Sequence, residues 1–488
     1  MLYSSILFQA RLNPHAVAVS YGKQDVTYAE FSAHIEKITC RLNGLALRPS
    51  ACVAVNVAHP YLHWLVLIAL GRLGLVSVSV PDVDKSGLLE LLQASTVLTD
   101  QDRGASGETL FIKVEAHWLT QELDDSPGFK KRNHQQHDAV RIILSSGTTG
   151  TSKKILFTND QLQKRLKNAV VVCGLSPTSR TMVTVGLDTL GGFQLPLSTW
   201  TSGGRAVLFI PGENLYQAVI RSDVNYLVMA PVQLGQFVEA LPKDSQPIAG
   251  LTVLVGGSAL PQSISHKARL RLTPSLFVGY GSTEAGLVSH APAALADRFP
   301  GATGYVLPWS DVQVVDPSGH EVPNGSAGEV RIRSEGCVPG YLGEGNASKG
   351  TYVHGTPEES FKEGWFYPGD AGVLSNTGML SIVGRTQELM NMGGVKIAPG
   401  MIEDVLLACP GVSDIAAFSM EQLDGTDLPW VAVVRGENYQ QAILATRFKQ
   451  QFPELPPLRF ANIDKIERNG MGKVQRNELR ILVKHALG

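Results

Sequence analysis

Two periods of apolar residues alternate through the middle of the chain. Short β-branched runs at Arg141–Leu144, Ile155–Phe157, Thr181–Val185, Ala206–Ile210, Tyr226–Met229 and Thr252–Val255 predict strands. Between them, the spacing in Val232–Leu241 and Gln262–Leu270 predicts helices. A further helix is predicted through about Val172, capped by Asn159 or Asp160. Strands and helices in this alternation build parallel sheets covered by helices. The most apolar stretch, Tyr61–Val80, is interrupted by His63 and Arg72, so it predicts a buried helix running into a strand and not a membrane span.

From about Asp311 the pattern changes. Val312–Val315, Gly328–Arg333, Gly372–Leu374 and Met379–Val383 are short strand-like runs. Turn chemistry separates them, at Asp316-Pro317-Ser318-Gly319, Pro323-Asn324-Gly325 and Asn376-Thr377-Gly378. An antiparallel, barrel-like region is expected there, over about residues 300–386. After Arg385 a new α/β unit begins, with a helix at Gly400–Ala408 and strands at Asp414–Phe418 and Trp430–Val434. A helix around Gln440–Gln451 and a last one near Val474–Leu487 complete it. About 100 residues suffice for an independent lid domain. The predicted fold class is α/β: helix-covered mixed sheets with a small barrel-like subdomain, then a small mobile C-terminal domain.

Composition narrows the classes. The chain has 488 residues, too many for one compact core. Its formal net charge of −2 supplies no global basic field for nucleic acid or anionic lipid, so any bound anion must be held by local groups. The five cysteines (Cys40, Cys52, Cys173, Cys337, Cys409) are scattered, with no C-x-x-C pair. That spacing indicates neither a disulfide framework nor a zinc site and fits a reducing compartment. Met1–Pro14 lacks the charged-then-apolar order of a signal peptide, and a cytoplasmic location is expected.

Four segments carry candidate chemistry. Ser145-Ser146-Gly147-Thr148-Thr149-Gly150-Thr151-Ser152-Lys153 lies between two predicted strands. Its glycines let backbone N–H groups turn toward an anion, its hydroxyls can donate to phosphate, and Lys153 adds charge. The spacing does not fit a Walker A loop, and a plain Ser/Thr/Gly hairpin turn is the alternative. Gly279-Tyr280-Gly281-Ser282-Thr283-Glu284 follows the strand-like Leu276–Val278. An aromatic, a hydroxyl and a carboxylate at a strand's C-terminal end suit a ligand site, and Glu284 suits Mg²⁺. The alternative is a tight turn in which Ser282 or Thr283 caps a helix. Gly364-Trp365-Phe366-Tyr367-Pro368-Gly369-Asp370 sets an aspartate on a rigid corner, suited to two ribose hydroxyls, with Gly384-Arg385 beyond the next hairpin; taken alone, Pro-Gly-Asp reads first as an ordinary turn. Asn469-Gly470-Met471-Gly472-Lys473 places a lysine on a glycine-flexible loop, able to reach into a site from another domain; a lysine that only solvates the surface is the alternative.

In order and spacing these segments resemble the adenylate-forming superfamily of acyl- and aryl-CoA synthetases, peptide-synthetase adenylation domains and firefly luciferase. The resemblance covers nearly the whole chain. Val26-Thr27-Tyr28-Ala29-Glu30-Phe31 is similar to its early motif, and Thr386–Leu406 to its inter-domain segment. The resemblance implies that Ser145, Ser146, Gly147, Thr148, Thr149, Gly150 and Lys153 surround the β- and γ-phosphates. It implies that Tyr280, between Gly279 and Gly281, stacks on adenine, that Thr283 touches the α-phosphate and that Glu284 coordinates Mg²⁺. Asp370 would hold the ribose with Arg385 in support, Ser258 and Ile382 would complete the nucleotide set, and Lys473 would bridge the substrate carboxylate and the α-phosphate. The hinge would fall at Gln387, dividing an AMP-binding domain (residues 1–386) from a lid (residues 387–488).

The implied reaction joins a carboxylic acid to a thiol at the expense of ATP, through an acyl-adenylate. A carboxylate attacking a triphosphate brings anions together, so the chemistry needs cations and N–H donors. It needs no general base, because the carboxylate is already ionised at neutral pH. No G-x-S-x-G elbow is present, which argues against a serine hydrolase. Rotation of the lid would let the thiol in where Lys473 had been.

Coenzyme A is the favoured thiol, with a carrier-protein phosphopantetheine as the alternative. Gly393 and Gly394 would line its path, and Leu187-Asp188-Thr189-Leu190-Gly191-Gly192 resembles the acyl-CoA synthetase form of the substrate-side segment. Leu187, Gly191, Val232, Gly256 and Gly281 would line the acyl pocket, suited to a small or medium acyl or aryl acid. The chain departs from the family pattern at Ser152 (usually Pro), Lys154 (often Gly), Thr189 (commonly His) and Gln387 (usually Asp or Lys). A non-catalytic nucleotide-binding relative would be expected to lose Lys473, Glu284 or Asp370, and all three are present.

Overall fold

The computed structural model of the chain describes residues 2–45, 47, 52–85, 87–103, 109–120, 135–145, 153–299, 301–343, 360–392, 395–421, 427–468 and 474–487. The β-branched runs of the middle region form strands close to their predicted bounds. Arg205–Leu208, Arg180–Val183, Tyr226–Met229, Thr252–Gly256 and Leu276–Ser282 lie side by side, all parallel. Helices Leu215–Arg221, Pro231–Ala240 and Gln262–Arg271 cover one face through a core that includes Met182, Leu227, Val253, Leu234 and Ala268. A second sheet of six strands contains Cys52–Asn56, Val76–Ser79, Ala139–Ser145 and Lys153–Thr158. The largest core fills the space around the helices Tyr28–Gly44, Pro60–Leu73 and Leu190–Thr201, where Phe31, Trp64, Phe193 and Trp200 pack on one another. Burial on both faces is what near-continuous apolar strands require. The apolar stretch at Tyr61–Val80 is indeed a buried helix followed by a strand, and among the described residues no helix is long and apolar enough to cross a membrane.

Two expectations need correction. The helix Asn159–Val172 is capped by Thr158, not by Asn159 or Asp160. Thr158 accepts from the Gln161 amide while the Gln161 side chain accepts from the Thr158 amide, a reciprocal box that a single capping side chain cannot supply. The antiparallel strands from Ala302 onward do not close into a barrel among the described residues. They continue the large sheet through Gly286–Pro292, Ala302–Val306, Met379–Arg385, Asp370–Leu374 and Ala327–Ser334 to a short edge pair at Trp365–Phe366 and Phe361–Lys362. Local turn chemistry specifies hairpins, but closure depends on which distant strands meet, and no turn residue encodes that.

Beyond Met390 the buried apolar residues pack among themselves. Ile402, Leu406, Ile415, Val431 and Phe448 form one cluster, and Phe418, Ile466, Leu479 and Val483 another, around the three strands Val412–Glu421, Asp427–Arg435 and Arg459–Asn462. The predicted helices and strands of this region are all present.

A polar chain crosses the main core. Arg141, wholly buried, donates from Nη2 to Ser79 Oγ (2.7 Å) and to the Leu187 carbonyl (2.8 Å), and its guanidinium lies 4.6 Å from the Phe193 ring centre. Ser79 Oγ is 2.8 Å from His63 Nε2, and His63 Nδ1 is 2.8 Å from the Val57 carbonyl. Because the carbonyl can only accept, Nδ1 carries the proton and Nε2 accepts from Ser79, so the ring is neutral. Burial holds the His63 pKa down to about 4 and that of Arg141 to about 9. An unfolded histidine titrates at its ordinary 6.5, so unfolding takes up a proton between that value and about 4. The native state should therefore lose up to about 3 kcal/mol as pH falls through that window and none above it. Urea midpoints across the window should show this slope for the wild type and a flatter one for His63→Asn; equal slopes would remove His63 from the acid response.

Candidate functional site

The site begins with the parallel strands. Four neighbours, Arg180–Val183, Tyr226–Met229, Thr252–Gly256 and Leu276–Ser282, point their C-terminal ends the same way. At those ends lie, in turn, Leu187 with Gly191 at the start of the next helix, Val232 in the first turn of the next, Gly256 closing its strand with Ser258 beyond it, and the segment from Gly279 to Glu284, which runs from the end of its strand into the turn. Such ends are where open α/β sheets gather ligands. Gly256 stands opposite Gly279 in the ladder. Thr184 Oγ1 donates to Gln233 Oε1 (2.8 Å), and Gln233 Nε2 returns a bond to the Thr184 carbonyl (3.0 Å), which fixes two adjacent ends relative to each other. Thr189, the departure from histidine, caps the helix Leu190–Thr201 by accepting from the Gly192 amide. Its hydroxyl is thereby committed to the backbone.

The Tyr-Thr-Glu segment makes a hairpin turn and no helix. Leu276–Ser282 returns antiparallel as Gly286–Pro292, and Ser282 Oγ accepts from the Ala285 amide. The turn is tight enough that a Cβ on Gly281 would lie 2.0 Å from the Gly286 carbonyl oxygen. Tyr280, half-buried at the strand end, donates its hydroxyl to Asp370 Oδ2 at 2.6 Å, across 90 residues of sequence. Burial first, and the adjacent Asp370 carboxylate second, push the Tyr280 phenol well above its ordinary pKa, so it remains a donor.

Asp370 is positioned by register. It opens the strand Asp370–Leu374 and pairs directly with Arg385, the last residue of Met379–Arg385, across the Gly378 turn. Arg385 Nε approaches Asp370 Oδ1 at 3.2 Å, with the carboxylate largely buried. The preceding corner needs glycine, since Gly369 has φ +74°, and both the amide and the hydroxyl of Thr386 donate to its carbonyl at 2.9 and 3.0 Å. Tyr280, Asp370 and Arg385 thus form one connected group. Ile382 lies on the same strand as Arg385.

A second group joins this turn to the hydroxyl-rich segment. Ser145 and Lys153 are the facing last and first residues of the antiparallel pair Ala139–Ser145 and Lys153–Thr158. Ser146, Gly147, Thr148, Thr149 and Gly150, together with Gly393, Gly394 and Lys473, lie outside the described residues. Lys153 Nζ stands 4.3 Å from the Tyr341 ring centre, and the Tyr341 hydroxyl donates to Glu284 Oε1 at 2.9 Å. Tyr341 therefore joins the hairpin end to the Thr283–Glu284 turn. Glu284 is buried, with one carboxylate oxygen bound to Tyr341. Among the described residues no cluster of three or more His, Cys, Asp or Glu exists to cage a metal. A single carboxylate fits Mg²⁺, which keeps waters and is held jointly with substrate phosphates.

Toward the C-terminal end, Arg468 and Val474 form an antiparallel bridge. The helix that follows begins at Arg476, which pairs with Glu388 Oε2 (2.8 Å) and Glu403 Oε1 (2.6 Å) and donates to the Ala417 carbonyl. Gln387 is exposed beside Glu388.

Sequence reasoning missed Arg165, Tyr341 and Arg141. Arg165 sits on an amphipathic helix, where arginine ordinarily faces water, and Tyr341 follows an unremarkable Pro-Gly turn. The early motif proves structural: Thr27 and Glu30 form a reciprocal cap, and the buried Tyr28 hydroxyl donates to the Gly204 carbonyl at 2.7 Å.

Comparison with known proteins gives the family and the fold. The family described as AMP-binding enzyme matches residues 8–342. The chain is 27% identical to feruloyl-CoA synthase of Amycolatopsis over 97% of both sequences. It is 23% identical to indoleacetate–CoA ligase of Aromatoleum aromaticum, covering 97% of this chain and 96% of that one. Among solved structures, o-succinylbenzoate CoA synthetase from Bacillus subtilis, in complex with its acyl-adenylate intermediate, superposes with a TM-score of 0.84 at 20% identity. That match covers 98% of this chain and 97% of the other. ATP-bound MatB from Rhodopseudomonas palustris gives 0.83 at 21% identity, covering 98% and 99%.

Proposed function

The chain belongs to the AMP-binding enzymes, and on that premise we propose that it is an ATP-dependent carboxylate–CoA ligase. The observation that carries the reading is the pair of linked groups Tyr280–Asp370–Arg385 and Lys153–Tyr341–Glu284, which meet at the turn carrying Tyr280 and Glu284. The first suits a nucleoside. The second suits a phosphate chain with its cation.

In the first half-reaction a carboxylate oxygen attacks the α-phosphorus of ATP, and pyrophosphate leaves. Asp370 accepts from the ribose hydroxyls, held in place by Arg385 and by the Tyr280 hydroxyl, while the Tyr280 ring lies against adenine with Gly279, Gly281, Ser258 and Ile382 around it. Ser145, the segment Ser146–Gly150 and Lys153 enclose the β- and γ-phosphates. Thr283 contacts the α-phosphate, and Lys473 neutralises charge between it and the attacking carboxylate. Mg²⁺, held by Glu284, would supply further neutralisation of the phosphates. In the second half-reaction the CoA sulfur, having lost its proton, attacks the acyl carbon and AMP departs. Gly393 and Gly394 line the path of the pantetheine arm, and Leu187, Gly191, Val232, Gly256 and Gly281 the acyl pocket.

We place the division between the two domains at Gln387, with residues 1–386 binding AMP and residues 387–488 forming the lid. The separate apolar clusters beyond Met390 support that boundary. The five cysteines are unpaired, which suits a reducing, cytoplasmic setting. Relatives named for ferulate, indoleacetate and succinylbenzoate favour an aryl acid as the substrate.

The test is acid-dependent exchange of labelled pyrophosphate into ATP over a panel of aryl and short acyl acids, followed by thioester formation with CoA or with a phosphopantetheinylated carrier protein. Exchange followed by CoA thioester is expected for at least one acid. No exchange with any acid would end the ligase reading, and thioester on the carrier alone would end the CoA assignment. Glu284→Gln should raise the Mg²⁺ needed for half-maximal exchange by roughly ten-fold or more. An unchanged magnesium titration would remove the metal from Glu284.

A further inference from the structure

Arg165 is a buried cation whose guanidinium donates to three main-chain carbonyls. Its Nε donates to the Gly336 carbonyl (2.7 Å), Nη1 to the Thr283 carbonyl (2.8 Å) and Nη2 to the Glu284 carbonyl. The guanidinium rests 4.7 Å from the Phe157 ring centre. Desolvation pulls its pKa down to about 10, and the nearby Glu284 carboxylate opposes that. A desolvated charge is costly unless its donors are satisfied, and here the satisfaction comes from two consecutive carbonyls of the turn that holds Thr283 and Glu284. The same turn is tied to the stretch after Ser334. Val338 donates its amide to the Glu284 carbonyl (3.0 Å), Ser334 Oγ donates to the Ala285 carbonyl (2.8 Å), and Tyr341 reaches the Glu284 carboxylate. Arg165 also stands on the helix that leaves the Lys153–Thr158 strand, and Leu342 donates to the Lys154 carbonyl at 2.8 Å. One helix and one short segment therefore connect the hydroxyl-rich hairpin with the turn.

We propose that Arg165 and Tyr341 are positioning residues for the adenylation step: Arg165 fixes the backbone of Thr283 and Glu284, and Tyr341 fixes the Glu284 carboxylate toward the phosphates. The inference rests on the reading of Glu284 as the Mg²⁺ ligand. Arg165 is too deep to meet substrate, and Tyr341 acts through the carboxylate. Residues that orient a metal ligand commonly change metal affinity or activity by 10–100-fold when altered.

Tyr341→Phe keeps the ring over Lys153 and removes the hydroxyl that donates to Glu284. It should raise the half-saturating Mg²⁺ in pyrophosphate exchange by roughly ten-fold, while thioester formation from supplied acyl-adenylate stays at the wild-type rate. Because Arg165 substitutions threaten folding, Gly336→Ala serves as a second lever: its Cβ would stand 2.8 Å from Arg165 Cγ and displace the guanidinium. Gly336→Ala should shift the same titration in the same direction, and so should Arg165→Lys, which keeps the charge but gathers its donors on one nitrogen and cannot span the three carbonyls. A Tyr341→Phe enzyme with an unmoved titration, where Glu284→Gln shifts it, overturns the positioning role and spares the metal assignment. If Glu284→Gln also leaves the titration unmoved, the metal assignment itself falls. Equal loss of both half-reactions in Tyr341→Phe and Gly336→Ala would mark general structural damage and overturn the proposal.

Discussion

Replacing Lys473 with alanine is expected to lower acid-dependent pyrophosphate exchange by roughly 10²–10³-fold, while thioester formation from supplied acyl-adenylate stays near the wild-type rate. The reason is where charge accumulates. When a carboxylate approaches the α-phosphorus, two anions share a site poor in water, and a fixed cation between them lowers the barrier most at the point of bond formation. Once pyrophosphate has gone, that repulsion is gone too, and the attack of a thiolate on a mixed anhydride no longer needs the lysine. Arg476, three residues further on, fastens its own helix to Glu388 and Glu403. Stopped-flow or quench measurements of the two half-reactions separately check the prediction. Equal loss in both would take Lys473 out of the adenylation role.

Asp370→Asn should behave differently, impairing both half-reactions. The nucleoside is held throughout the cycle, in ATP, in the adenylate and in AMP, so a ribose contact is needed at each stage. The substitution keeps the shape and an acceptor for the Tyr280 hydroxyl but removes the charge facing Arg385. Hydrogen bonds to a charged group contribute about 1.5–3 kcal/mol, which corresponds to roughly 10–100-fold in KM for ATP and in affinity for AMP. Calorimetric titration of AMP into the variant gives the cleanest measurement, since it involves no chemistry. Wild-type AMP affinity would exclude Asp370 from the ribose site.

These two residues also show what a sequence can and cannot carry. The Asp370–Arg385 pair was within reach, because a hairpin with a Gly378 turn fixes which residues face each other. The Tyr280–Thr283–Glu284 segment was legible because its residue types match its chemistry, yet its neighbour across space, Asp370, follows from how the large sheet runs and not from any local signal. Arg165 was invisible for a related reason. Its three acceptors are carbonyl oxygens, and a carbonyl leaves no mark on residue identity. The open sheet beyond Ala302 was read as barrel-like since turns specify hairpins and are silent on closure. The cap at Thr158 was missed by one position, where three polar residues in a row compete for the role.

The backbone around Gln387 has a consequence for timing. The amides of Glu388 and Leu389 both bond to the Arg385 carbonyl at 3.0 Å, and Thr386 is fastened to Gly369. If the lid turns about Gln387 as proposed, the swing must undo the first two bonds, each contributing about 0.5–1.5 kcal/mol. The proposed pivot would then carry its own latch. Turnover would then be paced in part by unlatching, and glycine substitutions beside Gln387 would quicken the swing while shortening the dwell in either position.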